Sequence, residues 1–199
     1  MAIAGASVST AFASGWLRDS TEPALVAERP LVTNSSVPLN PVPTRVSARS
    51  VPMTRSVPIR LRIPAIGVDS PLMALGLLSD GTLETPPGAF PAGWFTGAPT
   101  PGELGPAIIV GHVRYGSPGV FARLSEMRRG DGIQVRRADG STAGFRVTRV
   151  TNFIKSAFPT QAVYGNIPYA GLRLITCGGL DATANEFEEN VVVFAELAR

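Results

Sequence analysis

The chain has 199 residues, of which 44% are hydrophobic and 17% charged, so it is long enough for one folded domain with a tail and is globular in composition, not disordered. Its net charge is +3, but the Lys and Arg residues are scattered and no aromatic residues are interleaved with them, so we expect no nucleic acid partner. One Cys and one His exclude an intrachain disulfide and a Cys/His zinc site, and we expect no metal or cofactor.

The first 57 residues differ in composition from the rest of the chain. Residues 1–17 carry no charged side chain, fall short of the roughly 20 residues of a membrane span, and lack the positive start of a secretory signal. We interpret them as the remainder of a signal or membrane anchor; a disordered Ala/Ser-rich terminus is the alternative. Residues 18–57 are rich in Pro, Ser, Thr and Val and show no helical period, which predicts an extended linker.

The remaining residues, 58–199, are predicted to form one domain made mostly of short strands. Apolar runs bounded by turn residues predict strands at 59–63, 68–78, 107–110, 133–136, 145–150, 172–177 and 190–197. Spaced apolar residues along 120–127 predict a short helix. Many short strands with few helices indicate an all-β sandwich or a closed barrel.

The single histidine and the single cysteine occupy similar places in this pattern. His112 and Cys177 each follow an apolar strand, and each adjoins a glycine. Strand ends that meet at one edge of a closed sheet can bring two such residues together. An imidazole beside a thiol stabilises the thiolate and can protonate a leaving amine, which predicts acyl transfer with Cys177 as nucleophile. Spacing alone leaves a second interpretation open, a buried cysteine and an unrelated histidine.

Five segments of the domain carry recognisable motifs: Ile63–Pro71, Val110–Val113, Gly130–Val135, Leu172–Gly179 and Asn190–Ala195. In this order along the chain they resemble the sortases, and most closely the sortases of Gram-positive actinobacteria called class F. The resemblance covers the whole domain. It implies a closed eight-stranded β-barrel with one or two short helices.

The resemblance also implies a cysteine transpeptidase with a Cys–His–Arg active site. Cys177 and His112 match the family's nucleophile and its proton-transfer residue. The implied reaction cleaves a sorting motif similar to Leu-Pro-x-Thr-Gly after the threonine, through a thioester, and passes the acyl group to an amine on a cell-wall precursor or pilin. The implied location is the outer face of the cell membrane, with the N-terminus as anchor, or the medium if the protein is secreted.

The family's arginine is missing from its usual place after the cysteine. Gly178–Ala198 contains no Lys or Arg and holds five acids, which would favour the thiol over the thiolate. A cationic donor to a developing oxyanion is worth roughly 3–4 kcal/mol. We hypothesise that Arg114, which strand alternation places on the face of His112, replaces it. A solvent-facing loop arginine is the alternative for Arg114, and Arg173 is a weaker candidate because it lies about 13 Å back along its strand.

Three other interpretations stay open at this point. A degenerate sortase that binds sorting signals or wall components with little or no catalysis would explain the missing arginine. Another Cys/His acyltransferase, such as a wall cross-linking transpeptidase, is less favoured because the chain has no Ser-His-Gly-Cys cluster. A plain extracellular binding barrel would make His112 and Cys177 incidental.

Overall fold

Eight strands form a closed barrel, and the remaining short elements lie in the connections between its strands. The computed structural model describes residues 50–181 and 186–199, with side chains for residues 50–176 and 188–199. Residues 1–17, predicted as a signal or anchor, and residues 18–49 of the predicted linker lie outside the described residues.

The secondary structure consists of short elements joined by turns. In chain order the strands and the α-helix are β1 (Pro58–Ile63), β2 (Val68–Leu75), β3 (Ala92–Phe95), β4 (Gly105–Val110), β5 (Arg114–Tyr115), β6 (Ser117–Pro118), β7 (Gly132–Arg137), β8 (Thr142–Ile154), α1 (Thr160–Tyr164), β9 (Ala170–Asp181) and β10 (Glu186–Leu197). Single 3-10 turns occur at Pro64–Ile66, Leu124–Glu126 and Lys155–Ala157.

The strand order around the barrel is β1-β2-β3-β4-β9-β10-β8-β7, and β5 pairs separately with β6. Two neighbouring pairs are parallel, β2 with β3 and β4 with β9, and the other pairs are antiparallel. This order confirms the predicted all-β closed barrel of eight strands with few helices. The parallel pair β4–β9 positions the candidate site, because two parallel strands run toward the same edge of a sheet.

Alternation along the strands separates an inner core from an outer apolar layer. Leu61 and Leu174 belong to the cluster that fills the barrel interior. Ile108 and Ile175 belong to a second cluster on the outer face, where Val163 of α1 packs against the wall and is fully buried. β4 is buried on both faces, which explains why its sequence is a continuous apolar run and confirms the prediction of a buried strand there.

Residues 120–127, which the apolar spacing predicts as a short helix, form a turn that contains only the 3-10 segment Leu124–Glu126. The apolar side chains are buried as the spacing suggests. The backbone N–H groups of Val120 and Phe121, however, donate to carbonyls in two other loops. These hydrogen bonds hold the start of the segment to other loops, so helical hydrogen bonds form only in the single turn Leu124–Glu126.

A buried arginine ties the segment before β1 to the barrel. Arg137, at the end of β7, is only 1% exposed, and its guanidinium donates to the Thr54 carbonyl. The Met53 N–H donates to the Gly102 carbonyl at 2.8 Å and fixes the same segment from the other side. Residues 50–57 have no regular secondary structure, yet they are held to the barrel by these bonds.

Replacing Arg137 with Met should loosen this segment. The Thr54 carbonyl would lose its charged donor, so the free energy of unfolding should fall by about 2 kcal/mol and the melting temperature by roughly 4–8 °C. Thermal unfolding measures the loss of stability. Amide hydrogen exchange across residues 50–57 measures how far the segment is loosened. Arg136→Met, at the exposed neighbouring position, is the matched control. Equal melting temperatures for both variants would show that Arg137 does not tie the segment down.

Candidate active site

The parallel pairing of β4 with β9 decides where the predicted site residues lie. Val110 is the register partner of Ile175, and the N–H of the following glycine donates to the Ile175 carbonyl at 3.2 Å. His112 and Cys177 each come two residues after this last pair. The two positions therefore lie at the same level of the barrel wall, where β4 ends, and we call this edge the rim. The Cys177 side chain lies outside the described part of the structure.

Backbone and ring contacts hold His112 at the rim. Its Nε2 lies 2.8 Å from the Pro86 carbonyl oxygen, and its ring centroid lies 5.1 Å from that of Tyr115 at an interplanar angle of 41°. Its own carbonyl accepts the Phe121 N–H at 3.0 Å. A Cβ atom on Gly119 would come within 2.1 Å of that carbonyl oxygen, so position 119 admits only glycine.

The contact with Pro86 assigns the two ring nitrogens of His112 to different tasks. A carbonyl oxygen can only accept, so Nε2 must carry a proton to make this bond. In the neutral ring Nδ1 is then the nitrogen without a proton. Nδ1 is therefore the atom that can take a proton from a thiol or return one to a leaving amine.

Asn190 lies opposite position 177 on the neighbouring strand. Across the antiparallel pair β9–β10 it is the register partner of Cys177, and Glu189 is the partner of Gly178. Asn190 is only 3% exposed, and Glu189 accepts a hydrogen bond of 2.9 Å from the Asn152 amide. Asn190 and Glu189 of β10 therefore lie next to the rim. The sequence alone does not single out Asn190, because only the register of two strands identifies it.

Arg114, the predicted substitute for the missing arginine, lies in a short hairpin. β4 ends at Val110, and Arg114 in β5 is the register partner of Pro118 in β6. Strand alternation therefore does not extend from His112 to Arg114. The side chain of Arg114 is exposed and, within the described residues, forms no hydrogen bond or ion pair. It follows His112 closely in the chain, and its neighbour Tyr115 contacts the His112 ring.

Arg173, the weaker candidate, is part of the barrel wall. It is 3% exposed, and its guanidinium carbon lies 4.6 Å from the ring centroid of Phe194. One Nη donates to the Leu172 carbonyl at 3.2 Å. Burial lowers the pKa of the Arg173 guanidinium, and the hydrogen bond with Tyr169 opposes that shift. These contacts occupy Arg173 within the wall, away from the rim.

Neither a metal-binding cluster nor a membrane-spanning helix occurs in the described part of the chain. Among the side chains of residues 50–176 and 188–199, no three of His, Cys, Asp or Glu lie close enough together to hold a metal ion. None of the helices there has the length and apolar character needed to cross a membrane.

Comparison with known proteins places the domain in a family. A model of the sortase domain matches residues 61–198, more than half of the chain. The chain belongs to the sortase family. The search of curated proteins gave no match.

Solved sortase structures share the barrel. Sortase A from Corynebacterium diphtheriae superposes with a TM-score of 0.56 at 21% identity, over 73% of this chain and 62% of that chain. Sortase C-1 from Actinomyces oris gives a TM-score of 0.54 at 20% identity, over 71% of this chain and 75% of that chain. A Clostridium perfringens sortase D5 transpeptidase gives 0.53 at 20% identity, over 74% and 83%. The chain thus spans less than two thirds of the first of these sortases, and the likeness at this identity is one of fold.

The assignment of the His112 nitrogens predicts one imidazole tautomer. For the neutral imidazole, ¹⁵N spectra should show a protonated Nε2 and an unprotonated Nδ1, with a through-hydrogen-bond coupling from Nε2 to the Pro86 carbonyl carbon. His112 is the only histidine, so histidine labelling gives a single imidazole. The urea-unfolded chain is the control and should lose the coupling. A folded sample dominated by Nδ1–H would contradict the assignment.

Proposed function

We propose that this sortase is a surface cysteine transpeptidase, closest to class F, that cleaves a sorting motif similar to Leu-Pro-x-Thr-Gly and transfers the acyl group to an amine. The observation that carries the proposal is the β4–β9 register, which brings positions 112 and 177 to one rim in a chain of the sortase family. The order of the sequence motifs supports the class. The proposed partners are sorting-signal peptides and an amine on a cell-wall precursor or pilin.

In the proposed reaction Cys177 acts as the nucleophile and His112 transfers the protons, in successive steps. The Cys177 thiol passes its proton to His112 Nδ1, and the resulting thiolate attacks the carbonyl carbon of the scissile peptide bond to form a tetrahedral intermediate. His112 Nδ1, which holds the transferred proton, returns it to the leaving amine as the C–N bond breaks and a thioester forms. The incoming amine then attacks the thioester, loses a proton to His112, and releases the thiolate as the new amide bond forms.

We also propose a location on the outer face of the cell membrane, or secretion. The composition of residues 1–17 and the Pro-rich stretch that follows support it, because an apolar start and a polar stalk suit a domain held away from a membrane. The amine acceptor and the sorting signal would meet the rim there.

The thioester is the first species to look for. Incubation of the full chain with a panel of sorting peptides should add the mass of the acyl fragment to the protein, and hydroxylamine should remove it. Cys177→Ala should show no addition. Intact-protein mass spectrometry measures both. A folded wild-type sample that gains no mass with any peptide would contradict the transpeptidase proposal.

The oxyanion of the tetrahedral intermediate needs a donor, and we propose Arg114. Its guanidinium is exposed and, among the described residues, has no partner that would have to be displaced. The β5–β6 hairpin joins it directly to the His112 segment. Preorganised donors of this kind are worth roughly 3–4 kcal/mol in the transition state.

Arg114→Ala should therefore slow thioester formation about 10²–10³-fold. Arg114→Lys should recover part of the rate, because the charge is kept and the planar fork is lost. Arg128→Ala, at another exposed loop arginine, is the matched control and should leave the rate unchanged. Unchanged turnover in Arg114→Ala would rule Arg114 out, and Asn190, the register partner of Cys177, would be the next donor to test.

A second candidate function is a barrel that binds sorting signals without turning them over. One observation favours it: Gly178–Ala198 holds five acids and no Lys or Arg. Acids near the thiol disfavour the thiolate. In that case the peptide should bind the protein in calorimetry with similar affinity in wild type and Cys177→Ala, and neither should gain mass.

A further inference from the structure

Three arginines, two on β1 and one on β7, come together on the outer face of the barrel. Across the β1–β7 pair, Arg60 is the register partner of Arg136, and Arg62 is the partner of Gln134. Across the β1–β2 pair, Arg62 is also the partner of Asp69. Charges that look scattered along the chain therefore form one cluster on the surface.

This cluster lines a cavity of about 220 Å³, which we call the arginine cleft. Its lining residues are all polar or charged: Arg60, Arg62, Asp69, Gln134, Arg136 and Thr142. Three guanidinium groups face one carboxylate, which leaves two positive charges in excess. The Thr142 hydroxyl and the Gln134 amide add neutral donors to the same walls.

Asp69 orients two of the arginines and leaves their outer ends for a ligand. Its Oδ1 accepts Arg60 Nε at 2.6 Å, and its Oδ2 lies 3.7 Å from Arg62 Nε. The hydrogen bond from Arg60 lowers the pKa of the Asp69 carboxyl, so this acid stays ionised. Both contacts use Nε. Within the described residues the Arg136 side chain forms no hydrogen bond or ion pair.

We propose that the arginine cleft binds the phosphate groups of a linear polyanion. A guanidinium offers two parallel N–H donors that match two phosphate oxygens, and neighbouring arginines on paired strands can hold successive groups. Segments that insert into a bilayer surface carry apolar side chains that enter it, and the cleft walls have none. The polar lining therefore favours a hydrated polymer over a membrane.

The cleft lies on the side of the barrel opposite the rim. In the closed strand order, the β7–β1 junction is four junctions from the β4–β9 junction in either direction. A polymer in the cleft would leave the rim uncovered. The cleft therefore serves to hold the protein on a phosphate-rich polymer, and the binding does not depend on whether the rim performs acyl transfer.

Calorimetric titration of the full chain with sodium polyphosphate at several salt concentrations tests this. Three phosphate contacts should give a slope of log K against log salt of about −2. The variant R60Q/R62Q/R136Q should bind at least tenfold more weakly, with a slope near zero. R55Q/R123Q/R128Q removes the same charge at exposed positions outside the cleft and should bind like wild type. Thermal unfolding of both variants checks that each is folded.

Three results would overturn the proposal. The first is that the wild type does not bind polyphosphate. The second is that both triple variants lose the same affinity, because the binding would then depend on net charge and not on the arginine cleft. Vesicles containing phosphatidylglycerol form the other arm of the experiment. Binding to these vesicles through Arg60, Arg62 and Arg136, without binding to polyphosphate, would make the cleft a membrane contact instead.

Discussion

Parallel pairing between β4 and β9 sets the geometry on which the rim depends. Parallel strands cannot be joined by a tight turn, so the chain between them is long. It forms β5 to β8 and α1 before it returns as β9. Two of those strands, β7 and β8, then close the barrel around the pair. A shift of one residue in this register would move position 177 along the wall relative to His112.

Local patterns in the sequence predict most of the barrel but not its pairing. β1 alternates in its second half, where Leu61 and Ile63 are buried and Arg62 is exposed, although Ile59 is exposed as well. β4 is apolar throughout because both of its faces are buried. β3 has four residues and the strands of the β5–β6 hairpin have two each, too few to show a period. The apolar spacing of residues 120–127 indicates which side chains are buried. The backbone conformation of this segment is set by its hydrogen bonds to other loops.

The same distinction applies to the site. His112 and Cys177 stand out because each follows an apolar strand, which is local information. Pro86 and Asn190 reach the rim through a loop contact and a strand register, and no pattern in their own segments marks them. The alternation argument for Arg114 assumed that β4 continues, and β4 stops because the chain turns into a hairpin. The position of a residue beyond the end of a strand depends on tertiary contacts, which cannot be inferred from local sequence patterns.

The arginine cleft has an electrical consequence for the whole molecule. Its positive charge lies on β1 and β7, whereas Glu188 and Glu189 lie on β10, two strands from β7 in the closed order. Such a separation is an electric dipole, and an anionic surface exerts a torque on it over a distance of about a Debye length, roughly 8 Å in physiological salt. The barrel would rotate before it touches such a surface. It would arrive with the arginine cleft toward that surface and with the rim, on the opposite side of the barrel, away from it.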